Sequence, residues 1–504
     1  MKDDDFDRLR TLLGHVHDLR QAAAVLEWDQ ETQMPPGGAE ARARQLATLR
    51  RLAHERFTSD EVGALLDKLN CNNGNPLSLE ASLLRVARRD YERARRLPAD
   101  LVADLAEAAA TGKQAWKRAR ENDDFNHFAP HLERLVALSQ RKADALAPLF
   151  ESERRYDALL DEYEPGMTTA EVERVFEPLR KELVPIVDAI REQNGPDASL
   201  LTRSYDEDEQ IRFGEAVIET FGYDFERGRQ DRSAHPFTTT FSTGDVRITT
   251  RTDPHDLRPA LFGTLHEAGH ALYEQGVDDD LDGTLLADGT SLGLHESQSR
   301  LWENHVGRSR PFWEHYFPKL QDHFPNALDD VSASAFYRAV NRVEPSLIRV
   351  EADEVTYPLH VMLRFDLEKA LIEDDLPVAE LPDRWNAKMR DYLGVEPPNN
   401  AEGVLQDIHW SQGAFGYFPT YALGTLMAAQ LFAQAESDLT DLRGQIGDSA
   451  FGELRDWLRQ RVHRFGRKKR ATDVLLDATG EALSPAPWLN YVRRKFGAIY
   501  ELPG

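Results

Sequence analysis

The fold and chemistry of this chain are best inferred from one stretch, Leu261-Phe-Gly-Thr-Leu-His-Glu-Ala-Gly-His-Ala-Leu-Tyr-Glu-Gln-Gly276. Its apolar residues recur at helical spacing, so the stretch predicts a helix. His266 and His270 are four residues apart and share one face of such a helix, where both imidazoles can reach a single metal ion. Glu267 stands beside the first histidine and can act on a water molecule at that ion. Gly269 lowers helix stability, which a need for close approach near the metal explains.

The residues from Ser291 to Asn304 predict a second helix, with Glu296 near its start. The H-E-x-x-H pattern alone occurs by chance in long chains, and a glutamate near a helix start is often only a solvated residue near the dipole. Catalytic zinc uses three protein ligands and leaves one position for water, and two histidines with one carboxylate is a known set. We therefore predict His266, His270 and Glu296 as ligands. His295 could ligate instead, but a contact behind the ligands or with substrate is the better interpretation.

The composition favours a large globular protein. Hydrophobic residues make up 41% of the 504 residues, enough for a substantial core in several domains or in one large helical domain with a cleft. Cys71 is the only cysteine, which excludes an intramolecular disulfide and a cysteine metal cluster and fits a reducing cytoplasm. Residues 1–8 hold no apolar run, and no segment approaches the length of a membrane span. We expect a cytoplasmic protein with no membrane partner.

The charge balance is strongly acidic, with 87 Asp and Glu against 61 Lys and Arg and a net charge of -26. Such a surface repels phosphates, so we expect no nucleic-acid partner. Only 12 of the 61 basic residues are lysines. An acidic, lysine-poor surface suits a protein that stays soluble in a salt-rich cytoplasm, a hypothesis that activity and folding measured against KCl would test.

Helical patterns dominate the chain on both sides of one β-rich segment. Helices with charged faces are predicted from Phe6 to about Leu160, and helices return beyond Arg300. The segment 237–250 is rich in β-branched residues and contains a turn signal, so it predicts a strand hairpin just before the candidate metal helix. A further helix is predicted from Ser346 to Tyr357, ending at Pro358 or continuing past it with a kink.

The domain organisation is predicted to be simple. The composition of 70–76 indicates a loop, but the chain contains neither repeats nor low-complexity linkers. We therefore expect one catalytic domain over 1–504. It consists of a helical N-terminal part at about 1–230, the metal site and groove at about 231–425, and C-terminal helices at about 426–504.

Six motifs in order along the chain indicate a family. They are His235-Pro-Phe237, Asp245-Val-Arg-Ile-Thr249, His266-Glu-Ala-Gly-His270, His295-Glu-Ser-Gln298, Ile348-Arg-Val-Glu-Ala-Asp353 and Gly403-Val-Leu-Gln-Asp-Ile-His-Trp410. Together they resemble the thermostable carboxypeptidase Taq family of zinc metallocarboxypeptidases. The segments around Trp28 and Thr479 are similar as well, so the resemblance covers nearly the whole chain. Six motifs are far more specific than H-E-x-x-H alone.

The resemblance implies a mainly α fold, a large helical zincin similar to the neurolysin-like peptidases. A long active-site groove would lie between two helical halves, with a small β-sheet next to the zinc. The family is expected to use Zn²⁺, with Co²⁺ able to substitute, and to form homodimers. Its members remove single residues from the C-termini of peptides with broad specificity, and C-terminal proline is disfavoured.

Residue chemistry suggests catalytic roles. Glu267 is expected to take a proton from water as general base and to pass it to the departing amine. The oxyanion needs donors where its charge develops, and His409 and Tyr417 are the candidates. Tyr421 is the alternative phenol and a candidate substrate contact. Aromatic residues beside Gly and Pro also commonly do no more than pack a loop.

An exopeptidase must also recognise the free carboxylate of its substrate. Arg349 is the predicted cation, because the planar guanidinium binds a carboxylate through two hydrogen bonds. The same arginine could instead form an internal ion pair with Glu351 or Asp353. His235 is predicted either to contact substrate or to order the loop before the hairpin.

Two other functions are compatible with these motifs. One is an endo-oligopeptidase on the same scaffold, which would still cut a peptide with an amidated C-terminus where a carboxypeptidase would stop. The other is a non-catalytic, zinc-containing peptide-binding protein. Glu267 counts against the latter, because a structural zinc site needs no general base and usually fills its fourth position with protein.

Overall fold

The structure is a computed structural model that describes residues 2–69, 75–152 and 154–502. Cys71 and most of the loop predicted at 70–76 lie outside these ranges. The described residues form twenty-one α-helices and three β-strands, which confirms the prediction of a mainly α fold with a small sheet. Within these ranges, we find no helix with the length and apolar character needed to cross a membrane.

The helices lie on both sides of the sheet in sequence. Those before it are α1 (Lys2–Thr32), α2 (Ala39–Phe57), α3 (Asp60–Lys68), α4 (Leu79–Arg96), α5 (Ala99–Asn122), α6 (Phe125–Leu146), α7 (Arg155–Leu160), α8 (Thr169–Arg191) and α9 (Glu207–Phe221). Those after it are α10 (Arg258–Gly276), α11 (Leu292–Arg300), α12 (Arg310–His323), α13 (Pro325–Leu328), α14 (Ala333–Val340), α15 (Tyr357–Ile372), α16 (Leu381–Leu393), α17 (Pro419–Asp438), α18 (Leu442–Gly447), α19 (Gly452–Arg461), α20 (Ala471–Thr479) and α21 (Ala486–Tyr500). The predicted helix at Leu261–Gly276 is confirmed as most of α10.

The sheet consists of β1 (Gln230–Arg232), β2 (Thr238–Ser242) and β3 (Asp245–Thr250) in the order β1-β3-β2. β2 and β3 form the predicted antiparallel hairpin, and β1 pairs with β3 in parallel. Val246 and Ile248 of β3 are fully buried, and β3 packs against α10. The hairpin therefore lies against the helix that carries the histidines. β1 was not predicted, because the strand has only three residues and all three are polar.

The buried apolar side chains form two separate clusters. The larger cluster runs from α5 to α21 and includes the apolar residues of α10 and β3. The smaller cluster joins α1 to α4 with the connection that follows α10. Trp28 of α1 also contacts the sheet region, where the guanidinium carbons of Arg229 and Arg247 lie 5.4 and 4.5 Å from its ring centre. These cation–π contacts tie α1 to the sheet.

Three helices, α10, α11 and α17, cross closely. α10 is buried on nearly all sides, and it packs against α11, which in turn packs against α17. A Cβ atom at Gly269 of α10 would lie 2.5 Å from the carbonyl oxygen of Gln298 in α11. A Cβ atom at Gly424 of α17 would lie 2.6 Å from Cγ of Glu296. Glycine is required at both crossings, as the expected close approach at Gly269 implied.

The prediction of a helix from Ser346 to Tyr357 is wrong. This segment contains only a single 3₁₀ turn, Arg349–Glu351, and Val350 is 71% exposed. The α-helix begins at Tyr357, with Pro358 in its first turn, where a missing N–H costs nothing. Asp353 sets this start, because its Oδ1 accepts hydrogen bonds from the backbone N–H groups of Val355 and Thr356 at 2.9 and 3.0 Å.

Candidate active site

The structure brings the three predicted metal ligands together. α10 presents His266 and His270 one turn apart, and α11 presents Glu296 to both. The Nε2 atoms of the two histidines each lie 3.3 Å from Oε2 of Glu296. Tetrahedral zinc has ligand bonds of about 2.0–2.2 Å, which places neighbouring ligand atoms about 3.3–3.5 Å apart. The spacing and chemistry of this donor set therefore fit a metal ion.

The other ring nitrogen of each histidine is held by a hydrogen bond. His266 Nδ1 lies 2.9 Å from Oε2 of Glu303, and His270 Nδ1 lies 2.5 Å from Nδ1 of His295. The chain continues outward, because His295 Nε2 lies 2.7 Å from Oε1 of Glu274. Such bonds fix the ring orientation and leave Nε2 of each imidazole directed at Glu296. His295 lies behind His270, outside the ligand cluster.

Charged neighbours keep the buried carboxylates ionised. Glu296 Oε1 accepts a hydrogen bond from Nε of Arg300 at 2.7 Å. Burial alone would raise the pKa of Glu296, but Arg300 and the two imidazoles hold it well below its usual value. Burial also opposes ionisation of Glu303, yet Arg300 and its other partners lower the pKa of Glu303 to about 2. Burial lowers the pKa of His270 to about 3, so that its imidazole is neutral.

Glu303 lies in a π-helical segment, Leu301–Val306, that continues α11. Such wider turns are rare and are frequent at functional sites. Besides contacting His266, the Glu303 carboxylate pairs with Arg300 and Arg308, each at 3.2 Å. Glu303 and Arg300 were not predicted from the sequence. A signal was available, because Glu296, Arg300 and Glu303 are spaced four and three residues apart and would share one face of a helix.

Glu267 is buried next to the cluster, with 6% of its surface exposed. Thr238, the first residue of β2, donates its hydroxyl to Oε2 of Glu267 at 2.7 Å. Burial raises the pKa of Glu267 above the usual value of a glutamate. The sheet thus orients the carboxylate through one oxygen. Thr238 was not singled out from the sequence, where one threonine among three gave no signal.

His409, Tyr417 and Tyr421 form an aromatic cluster at the start of α17. His409 Nε2 lies 3.3 Å from the hydroxyl of Tyr421, and the rings of Tyr417 and Tyr421 are 5.3 Å apart. Burial lowers the pKa of His409 to about 4 and raises the pKa of Tyr421 well above its usual value. The imidazole of His409 is therefore neutral, and the phenol of Tyr421 is protonated. Gly424, three residues after Tyr421, lies against Glu296, so the cluster borders the predicted metal ligands.

Arg349 is buried beside this cluster and pairs with a residue that the sequence analysis did not consider. Its Nη2 lies 2.7 Å from Oδ1 of Asp407, and Oδ2 of the same carboxylate lies 2.6 Å from Arg364. Glu351 and Asp353 were the expected partners of Arg349, but neither pairs with it. Two arginines share one carboxylate, so the group retains a positive charge. The guanidinium carbon of Arg349 is also 5.0 Å from the ring centre of Tyr421.

His235 lies in the connection between β1 and β2 and is exposed. Its backbone carbonyl accepts a hydrogen bond from the hydroxyl of Ser233 at 2.6 Å. The next residue, Pro236, reaches α10, where its Cγ is 3.6 Å from a Cβ atom built at Gly263. The structure therefore places His235 near the start of the metal helix but does not join its ring to the cluster.

Two imidazoles, a carboxylate from a second helix and a buried glutamate beside them are the features of a metal-dependent hydrolase. The sequence model of the family described as "Carboxypeptidase Taq (M32) metallopeptidase" matches residues 8–496. The chain belongs to this family, and its activity is that of a metallocarboxypeptidase.

Relatives and a solved structure are similar to this chain over nearly its whole length. Thermostable carboxypeptidase 1 of Thermus thermophilus is 45% identical over 491 residues, which cover 96% of each chain. Carboxypeptidase 1 of Bacillus subtilis is 39% identical over 492 residues, covering 97% of this chain and 98% of the relative. The crystal structure of an M32 carboxypeptidase from Deinococcus radiodurans has a TM-score of 0.96 at 42% identity, covering 99% of this chain and 100% of the other.

Proposed function

We propose that this chain releases single residues from the C-termini of peptides, with Zn²⁺ as its metal and Glu267 as general base. The single observation that carries the proposal is the convergence of His266 Nε2 and His270 Nε2 on one oxygen of Glu296, each at 3.3 Å. His266, His270 and Glu296 would hold the ion. Imidazole nitrogen and carboxylate oxygen are ligands that zinc prefers.

Held by His266, His270 and Glu296, a divalent ion would supply Lewis-acid chemistry, which would lower the pKa of water and polarise the scissile carbonyl. Glu267 accepts the proton from water and delivers it to the departing amine. Thr238 occupies Oε2 of Glu267, so Oε1 is the oxygen proposed to carry the proton. Burial excludes bulk water from this carboxylate and keeps the transfer local.

The aromatic cluster is proposed to stabilise the oxyanion. Tyr421 and Tyr417 have hydroxyl groups that remain protonated, and the neutral imidazole of His409 lies 3.3 Å from the hydroxyl of Tyr421. Donors that are fixed before the reaction stabilise developing charge without reorganisation. Replacing either tyrosine by phenylalanine removes only the hydroxyl. The residue whose variant loses about 10²–10³ in kcat is the principal donor.

Arg349 is proposed to recognise the substrate carboxylate. The charge of Asp407 is shared between Arg349 and Arg364, which leaves one positive charge for the substrate. We also propose that His235 and His295 influence substrate binding, His235 from its exposed loop and His295 through His270. Arg349→Lys keeps the charge but loses the planar guanidinium. It should raise KM for free-ended peptides more than it lowers kcat.

The decisive experiment uses metal-analysed protein and a pair of peptides that differ only at the C-terminus. Mass spectrometry should show a ladder of products, each shorter by one residue, from the free-ended peptide and none from its amidated form. Internal cleavage of the amidated peptide would refute the proposal in favour of an endo-oligopeptidase. Glu267→Gln should lower kcat by about 10²–10⁴-fold while zinc content and peptide binding are retained. Unchanged turnover in that variant would refute the general-base assignment.

The finer properties are proposals that need separate measurements. Peptides with varied last residues test broad specificity, and we expect slow release of C-terminal proline. Reloading metal-free protein with Zn²⁺ or Co²⁺ tests the metal. A homodimer is expected on light scattering, and a cytoplasmic location on cell fractionation. Activity and unfolding measured over a range of KCl test the proposed salt adaptation of the acidic surface.

A further inference from the structure

A cavity of about 450 Å³ lies apart from the residues of the proposed mechanism. Its walls come from α12, α14, α17, α18 and α21, together with His305 at the end of the π-helical segment. None of the predicted metal ligands, catalytic residues or substrate contacts lines it. The proposed function therefore gives this cavity no role.

The cavity is basic in a strongly acidic chain. Five cationic side chains line it, and no Asp or Glu is among the lining residues: Arg310, Arg338, Arg443, Arg494 and Lys495. Two carboxylates reach these cations from outside the lining. Glu436 lies 2.6 Å from Arg443 and 3.9 Å from Arg494, and Glu354 lies 2.6 Å from Lys495. Five cations against two carboxylates leave a formal charge of plus three, which attracts anions.

Two of the cations have no acidic partner. Among the residues that the structure describes, neither Arg310 nor Arg338 has a carboxylate oxygen within 4.0 Å. These two guanidinium groups are therefore available to an anion that enters the cavity.

A second basic cavity, of about 530 Å³, has a smaller excess of positive charge. Most of its cations are matched by carboxylates. Arg93 lies 2.6 Å from Asp161, Arg467 lies 2.9 Å from Asp90, and Lys142 pairs with a glutamate. By the same count, its six cations and four carboxylates leave a formal charge of plus two, and among the described residues only Arg20 in this lining lacks a carboxylate oxygen within 4.0 Å.

We propose that the cavity beside His305 binds a small molecule that carries a phosphate monoester. Guanidinium groups match the oxygens of phosphate through paired hydrogen bonds. A phosphate monoester carries a charge of about -1.5 to -2 near neutral pH, against one for a carboxylate, which better matches a charge of plus three. Apolar walls from Pro311, Phe432 and Ile499 leave room for an organic part that inorganic phosphate lacks.

The test compares two variants with the same change in net charge. Calorimetric titration of metal-loaded protein with phenyl phosphate, at constant ionic strength, should show binding to the wild type. Arg310→Gln/Arg338→Gln should raise Kd at least roughly ten-fold, because charge-assisted hydrogen bonds are lost. The control, Arg10→Gln/Arg118→Gln, removes two exposed arginines outside the cavity and should stay within about two-fold of the wild type. Equal melting temperatures would show that both variants are folded.

Two further ligands identify what the cavity recognises. Benzoate keeps the ring but carries one charge, and it should bind at least roughly ten-fold more weakly than phenyl phosphate. Weaker binding of inorganic phosphate than of phenyl phosphate would support a role for the apolar walls, and equal or tighter binding would overturn the monoester in favour of free phosphate. Wild-type affinity in Arg310→Gln/Arg338→Gln would place the anion at the metal or on the general surface. That result, or no binding to the wild type, would overturn the proposal.

Discussion

Replacement of Gly269 by alanine tests whether the close crossing of α10 and α11 positions the proposed metal ligands. A Cβ atom there would lie 2.5 Å from the carbonyl oxygen of Gln298, whereas ordinary contact begins at 3.4 Å, so α11 would have to move by about 0.9 Å. Glu296 lies two residues earlier on α11. Metal sites tolerate ligand displacements of only about 0.2 Å. We therefore expect Gly269→Ala to weaken zinc binding on the order of 100-fold.

Gly269→Ala has two opposite effects on stability. Alanine favours a helix over glycine by about 1 kcal/mol, but overpacking costs about 1–3 kcal/mol. At Gly269 the steric cost should win, and the melting temperature should fall. Gly263, six residues earlier on α10, is the matched control, because its Cβ atom would meet its nearest neighbours at 3.6 Å. Gly263→Ala should therefore bind zinc normally and melt at the same or a higher temperature.

The assay is competition for zinc between each variant and a chelator of known affinity, followed by a calorimetric scan of the metal-free and loaded forms. Carboxypeptidase activity at saturating zinc gives an independent measure of ligand geometry. If Gly269→Ala bound zinc as tightly as the wild type and melted as high as Gly263→Ala, the crossing would not hold the ligands. The explanation of this glycine would then be wrong.

Three other variants test the surroundings of the site. Glu303→Gln should raise the Kd for zinc by about 10–100-fold, because His266 loses its charged partner, as chelator competition will show. Asp407→Asn should lower the free energy of unfolding by about 3–5 kcal/mol, measured in urea, because two buried arginines lose their shared carboxylate. Burial raises the pKa of Glu368 to about 7, so its ionisation weakens the folded state as pH rises from its unfolded pKa, about 4.5, to about 7. The melting temperature of Glu368→Gln relative to the wild type should therefore rise between pH 5 and pH 8, and a constant difference would contradict this.

Features that depend on local spacing were predictable from the sequence. Two histidines four residues apart must share a helix face, and the many β-branched residues at 237–250, with a turn signal among them, predicted the hairpin. The placement of Glu296 against both histidines was also expected, because the motif order implied a returning helix. The roles of these residues stay predictions, although their geometry is as expected.

Features that depend on distant partners were not predictable. Asp407 is 58 residues from Arg349, and no local pattern indicates that the two form an ion pair. The segment 346–357 has apolar residues at helical spacing, but hydrogen bonds to Asp353 end the irregular segment and set the start of the helix at Tyr357. Side-chain capping of this kind competes with helix formation and is not visible in periodicity.

The division of the apolar interior into two clusters has a mechanical consequence. α1 joins the rest of the molecule partly through Trp28, whose contacts with two arginines are polar and adjustable. α1 also packs against β2, whose first residue holds Glu267. A substitution that loosens Trp28 from the sheet should therefore change the orientation of Glu267 through Thr238 before it changes the spacing of His266, His270 and Glu296.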